Sequence, residues 1–218
     1  MRFFFLCFFL FIVLIGRPQC RHFITQEVLP SATLNKVFIK EGSFLNFKAD
    51  YGLLLAPLNY RPLTKDWLQL PFYIVHSTSK TPRYPIFLLH GGPGSPNDWS
   101  AHFPSYLLEN HDLIILGYRG IESDLKLEFS GFDSVFKTQT SFDTTCFKVQ
   151  IQKFSDQIIQ NSYSEYFSLQ NHAADLEEIR KFIQADTVGI LAYSFGGIIA
   201  QVYDRSEEHT SELQSPNT

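Results

Sequence analysis

The sequence predicts an α/β domain in which a mostly parallel sheet follows an N-terminal antiparallel hairpin. Short, continuous apolar runs ("IFLL", "LIIL", "VGILA") alternate with helical stretches over residues 86–204. A parallel sheet requires that alternation, because each crossover must cover a face of the sheet. Residues 30–90 are instead dense in β-branched and aromatic residues broken by Gly, Pro, Asp and Asn, which reads as strands joined by tight turns. Composition agrees with a globular chain: 218 residues, 44% hydrophobic, 18% charged, net charge -4. That length accommodates one domain with a substantial core. No basic patch or long run of one charge points to nucleic acid. Three cysteines without a CxxC pair fit neither a disulfide scaffold nor a zinc site.

In chain order, Arg2 and the 13-residue apolar run "FFFLCFFLFIVLI" come first, ended by Gly16, Arg17 and Pro18. The run is too short to span a bilayer comfortably and has the dimensions of a secretory signal peptide over residues 1–20. The expected location is outside the cell or in the lumen of the secretory or lysosomal route. An uncleaved signal anchor is the alternative, and membrane association is expected only in that case. The domain itself is expected over residues 21–204.

"TLNKVFIK", "SFLNFKAD" and "LQLPFYIVHS" read as the first strands, and "YPIFLLHGGPG" as a buried strand running into a glycine-rich turn. "WSAHFPSYLL" reads as a helix that Pro104 shortens or kinks. "HDLIILGYRG" is a further buried strand, and residues 121–150 carry no clear element. "VQIQKFSDQIIQNSY" and "NHAADLEEIRKFIQ" read as helices. In the second, Ala173, Leu176, Ile179 and Ile183 recur at near-helical spacing, with Glu177 and Lys181 paired on the solvent side. "TVGILAY" is then a buried strand and "FGGIIAQVYD" opens a helix.

Two turns carry the chemistry. In "AYSFGG", Ser194 stands between a buried strand and a helix. A serine hydroxyl must be raised out of a sheet, beside a base, before it can attack a carbonyl. A sharp strand-to-helix turn does this but crowds the backbone two residues to either side, where Ala192 and Gly196 are small enough. Gly197 would let the helix approach the sheet. The amide of Phe195, at the helix start, faces a developing oxyanion. The plainer reading makes Ser194 a turn or N-cap residue. The second turn is "HGGPG", His90, Gly91, Gly92, Pro93 and Gly94. Its glycines let the backbone approach a bound group, and the N–H near Gly92 would be the second oxyanion donor. His90 is either a base or, as strand-end histidines more often are, a brace for the loop. The plainer reading of the whole turn is a strand-to-helix connection.

Together, "FLLHGGPGSPNDW", "DLIILGYRG" and "GILAYSFGGIIAQ" resemble the α/β-hydrolase superfamily. HGGPG is similar to the proline iminopeptidase and tripeptidyl aminopeptidase branch of serine peptidases. The resemblance covers roughly residues 70–204, with Ala192 where the branch usually has glycine. It implies a truncated α/β-hydrolase fold, Ser194 as nucleophile, Gly92 and Phe195 as oxyanion donors, and no metal or organic cofactor. The implied activity is removal of N-terminal residues from short peptides through an acyl-enzyme. A carboxylesterase or lipase acting on an ester is one alternative, and a non-catalytic binding protein is another.

In that superfamily the triad acid and histidine follow the nucleophile at a distance. His209 is only 15 residues past Ser194, with a helix expected between them, so it does not fit the role. The triad acid and histidine are therefore expected to be absent from this chain, which reads as an inactive N-terminal fragment. "RSEEHTSELQS" also matches the translation of a sequencing-library adapter, and residues 205–218 are expected to be a non-native tail.

Overall fold

Three long strands open the structure and pair as an antiparallel meander: β1 (Val37–Phe44), β2 (Phe47–Pro57) and β3 (Trp67–Val75). The computed structural model describes residues 37–92, 94–127, 144–161 and 163–212. The expected signal segment, Pro93 and residues 213–218 lie outside them. "SFLNFKAD" is not one strand, because Phe44 pairs with Phe47 and a two-residue turn lies between them. There Leu45 takes the left-handed φ of 54° that such hairpins need. From Gly52 onward β2 alternates in burial, with Gly52, Leu54 and Ala56 on one face, while Ala49 is buried on the other. Gly52 faces Phe72 across the ladder, and a Cβ there would lie 2.2 Å from the Phe72 ring. The missing side chain makes room for the ring, whose full burial contributes about 1.5–3 kcal/mol.

β4 (Ile86–Leu89) and β5 (Leu113–Leu116) are four-residue strands buried throughout, and β6 (Gly189–Ala192) is half-buried. The sheet order is β1-β2-β3-β5-β4-β6. β4 is parallel to both β5 and β6, but β3 meets β5 antiparallel. Three of the five pairings are therefore antiparallel, which overturns the expected mostly parallel, α/β-hydrolase-type sheet. The meander has three strands, not a hairpin's two, and its strands are longer than those of the parallel arm. Apolar runs such as "LIIL" report burial on both faces and carry no information about strand direction.

Between β4 and β5 the expected helix over 99–108 is reduced to a single 3₁₀ turn, Ser105–Glu109, entered from Pro104. Proline within that stretch removes an N–H and clashes with the preceding turn. The helices described are α1 (Thr144–Gln160), the one-turn α2 (Tyr163–Tyr166), α3 (Leu169–Phe182) and α4 (Phe195–Glu212). α4 continues through the first residues of the segment expected to be a tail. Among the described residues no helix is long and apolar enough to cross a membrane.

Successive residues of β4 and β5 point to opposite faces. Phe87, Leu89, Ile114 and Leu116 pack with Ala173, Leu176 and Ile179 of α3 and Ile199 and Tyr203 of α4. Ile86, Leu88, Leu113 and Ile115 pack on the other face with Trp99 and Leu108. Ser168 caps α3, its hydroxyl accepting the Asn171 N–H at 3.3 Å. At the surface of α3, Glu177 takes Arg180 at 2.7 Å in preference to Lys181 at 3.5 Å.

A buried ion pair ties α3 to the sheet. Arg119, just past β5, gives Nη2 to Asp175 Oδ1 at 2.6 Å and Nε to Oδ2, while Nη1 reaches the Leu58 carbonyl at 2.9 Å. Tyr60 donates its hydroxyl to Asp175 at 2.9 Å and lays its ring 5.3 Å from the guanidinium carbon. Removing one partner of such a pair strands the other charge in the interior. Asp175→Ala should lower the unfolding free energy by about 3–5 kcal/mol, read as a fall in urea midpoint at constant slope. Lys181→Ala, at an exposed pair, should cost no more than about 1 kcal/mol.

Candidate functional site

The parallel register sets Leu89 opposite Ala192, so β4 and β6 end side by side and their following turns touch. The Tyr193 N–H donates to the Leu89 carbonyl at 2.8 Å, and the chain then reverses sharply. The Gly196 N–H returns to the Tyr193 carbonyl and the Gly197 N–H to that of Ser194, each at 2.9 Å. Between them Ser194 has a φ of 51°, left-handed backbone that costs an L-residue roughly 1–2 kcal/mol. The serine is thus held at the head of α4 in a conformation its side chain disfavours, and such strain gathers at functional sites.

Gly196 gives the close approach to the sheet. A Cβ there would stand 2.3 Å from the Leu89 carbonyl oxygen and 2.9 Å from that of His90. Gly197, expected to serve this purpose, has nothing within 4 Å of a built Cβ. From the other turn Gly91 closes on the serine: its Cβ would lie 2.5 Å from Ser194 Cβ and 3.2 Å from Oγ. Gly92 and Gly94 both have φ of 87°, the left-handed region that glycine tolerates. Among the described residues, neither the Gly92 N–H nor the Phe195 N–H is donated to an acceptor. Pro93 lies outside the described residues.

The His90 ring stands between aromatic neighbours, edge-on to Trp99 at 5.5 Å and stacked with Tyr193 at 6.2 Å. Its Nδ1 is 3.1 Å from the Gly91 carbonyl oxygen, which is the bracing geometry. His209 lies along α4 from Ser194, about 22 Å away at 1.5 Å per residue. Among the described residues no hydrogen bond joins Ser194 Oγ to a histidine, and no group of three or more His, Cys, Asp or Glu is placed to hold a metal.

Three residues behind the turn escaped the sequence reading. Asn97, 2% exposed, donates Nδ2 to the Leu88 and Leu116 carbonyls at 2.9 and 2.8 Å. Its Oδ1 accepts the His90 N–H at 2.7 Å and the Trp99 Nε1–H at 3.1 Å. Glu122 Oε2 accepts the N–H groups of Asn97 and Tyr118, each at 2.9 Å, and the Tyr118 hydroxyl donates to the His90 carbonyl at 2.8 Å. "PNDW" and "GYRGIESD" give no local sign of these partnerships, which only tertiary folding creates. Burial raises the Glu122 carboxyl above its ordinary value, against the lowering effect of the two N–H bonds. Burial, and then the Glu122 charge, raise the Tyr118 phenol.

No family model matches the chain, and no curated protein matches it. Among solved structures, the crystal structure of wild-type Cfl2 from Burkholderia cenocepacia is similar at 14% identity and a TM-score of 0.42. The match covers 78% of this chain and 41% of that one, so this chain spans about two-fifths of its length. A likeness at that level bears on neither the chemistry nor the partners of this chain.

Two variants test the turn. Ser194→Gly should be more stable than Ser194→Ala by about 1 kcal/mol, because only glycine relieves the left-handed backbone; equal melting temperatures would contradict this. For Glu122, a raised folded pKa gives stability that is present below the unfolded carboxyl value and is lost as pH rises through the folded value. Glu122→Gln, which keeps an acceptor oxygen without the charge, should therefore melt higher than the parent at pH 7. The gap should close on acidification below about pH 4.5, as a series of thermal melts would show.

Proposed function

We propose that this chain carries the nucleophile and oxyanion donors of a serine hydrolase, and that the protein it belongs to is an aminopeptidase acting on short peptides. One observation carries the reading: Ser194, on strained left-handed backbone, is packed against Gly91, while the Gly92 and Phe195 N–H groups have no acceptor among the described residues. Two unspent donors beside a raised hydroxyl suit an oxygen that gains charge during reaction. The resemblance of the two turns to the proline iminopeptidase and tripeptidyl aminopeptidase branch supports a peptide over an ester substrate.

In this mechanism Ser194 Oγ attacks the carbonyl carbon as a histidine takes its proton. The carbonyl oxygen becomes an oxyanion held by the Gly92 and Phe195 amides. The carbon–nitrogen bond then breaks, and the histidine returns the proton to the departing amine. Water, deprotonated by the same histidine, attacks the acyl-serine and releases the acid and the free hydroxyl. That histidine and the carboxylate that orients it are not found beside Ser194 among the described residues, so this reading draws them from elsewhere in the protein. The same observation favours a second reading, a binding protein in which Ser194 is only a turn residue.

A fluorophosphonate probe separates the two. Expressed from the complete open reading frame, the protein should label at Ser194, lose all labelling in Ser194→Ala, and release amino acids from peptide amides faster than it cleaves simple esters. The 218-residue chain by itself should show at most the residual acceleration of about 10³–10⁴ over water that donors give without a base. A complete protein that fails to label leaves the binding reading standing.

A further inference from the structure

The Gly92 N–H is useful to an oxyanion only if it points at it, and three side chains decide where it points. A trans peptide is planar, with its C=O and N–H antiparallel, so fixing one polar atom fixes the other. Three such planes lead from the end of β4 to the Gly92 N–H. In the first, the Leu89 carbonyl accepts the Tyr193 N–H and the His90 N–H is donated to Asn97 Oδ1. In the second, the His90 carbonyl accepts the Tyr118 hydroxyl at 2.8 Å. In the third, the Gly91 carbonyl faces His90 Nδ1 at 3.1 Å. A carbonyl only accepts, so Nδ1 carries the hydrogen. The Gly92 N–H lies in this third plane and is directed away from the His90 ring.

We propose that Asn97, Tyr118 and the His90 ring are positioning residues that fix these three planes and so aim the Gly92 N–H past Gly91 at the space beside Ser194. The holders are themselves held. Asn97 is tied to β4 and β5 through Leu88 and Leu116, and Glu122 receives the backbone N–H of both Asn97 and Tyr118. The His90 ring is set by Trp99, which is bonded to the same Asn97 oxygen, and by Tyr193, the residue before the serine. A single bonded framework therefore fixes both the donor turn and the approach to the nucleophile. Its catalytic meaning rests on the serine hydrolase reading, whereas the orientation of the planes does not.

Two variants remove a hydrogen-bond donor and keep an aromatic ring in place: Tyr118→Phe and His90→Phe. In the 218-residue chain, 15N relaxation should show the Gly91 and Gly92 amides falling from the rigid order-parameter range near 0.85 to below about 0.6 in either variant. The rest of the sheet should be unchanged. In the complete protein each variant should lower kcat about tenfold at unchanged KM, less than the 10²–10³ lost when an oxyanion donor is removed outright. Order parameters that stay rigid overturn the inference whatever the activity. A kcat that does not move overturns its catalytic part, and a loss beyond about 10⁴ in His90→Phe makes that ring the base instead of a brace. If the complete protein hydrolyses nothing, the hydrolase reading fails, and the relaxation data alone decide the positioning role.

Discussion

β4 and β6 run parallel and in register, Leu89 beside Ala192, so the chain leaves both strands at one edge of the sheet about 4.8 Å apart. No side chain fits between two backbones that turn over each other at that separation. The turns therefore meet through Gly91 and Gly196, and Ser194 is forced into left-handed backbone between them. The left-handed backbone at the serine follows from this contact. A methyl group at Gly196 would push α4 off the end of β4 and separate the parts.

Polar bonding in the interior then fixes what packing alone would leave loose. Apolar faces cover the sheet on both sides, but a four-residue strand such as β4 can slide or tilt at little cost in buried area. Asn97 makes four side-chain hydrogen bonds between the ends of β4 and β5 and the loop that follows, which leaves one arrangement with every group satisfied. Arg119, Asp175 and Tyr60 do the same on the opposite face, joining segments more than a hundred residues apart. The two networks flank "GYRG", so the segment after β5 serves as the hinge point of both.

Features set by nearest neighbours along the chain were legible in the sequence. The Ser194 turn, the helix over α3 and the buried runs of β4 and β5 each announce themselves by local spacing, whereas β6, expected to be buried, is only half-buried. Strand direction was not legible, because "IFLL" and "LIIL" read alike in a parallel or an antiparallel sheet, and β3 joined β5 in the direction the pattern could not exclude. The apolar spacing of "WSAHFPSYLL" suggested a helix, yet Pro104 allowed only one tight turn. "SFLNFKAD" concealed a hairpin because Leu45 and Asn46 lack the usual glycine. Asn97, Tyr118 and Glu122 were invisible for a different reason: their partners lie in other strands, and a lone polar residue in a loop says nothing of what it will meet.

The two margins of the sheet are finished differently. β1, at one margin, turns Lys40 and Glu41 outward, and charges so placed discourage another strand from adding on. β6, at the other, is Gly-Ile-Leu-Ala, half-buried along its whole length and bonded only to β4 among the described residues. It has no charge, proline or bulge to spoil its ladder. A bare margin of this kind is adhesive: its open N–H and C=O groups suit any extended segment that can lie alongside. The residue that follows it is Tyr193 and the next is Ser194, so a polypeptide that covered that margin would also end beside the serine.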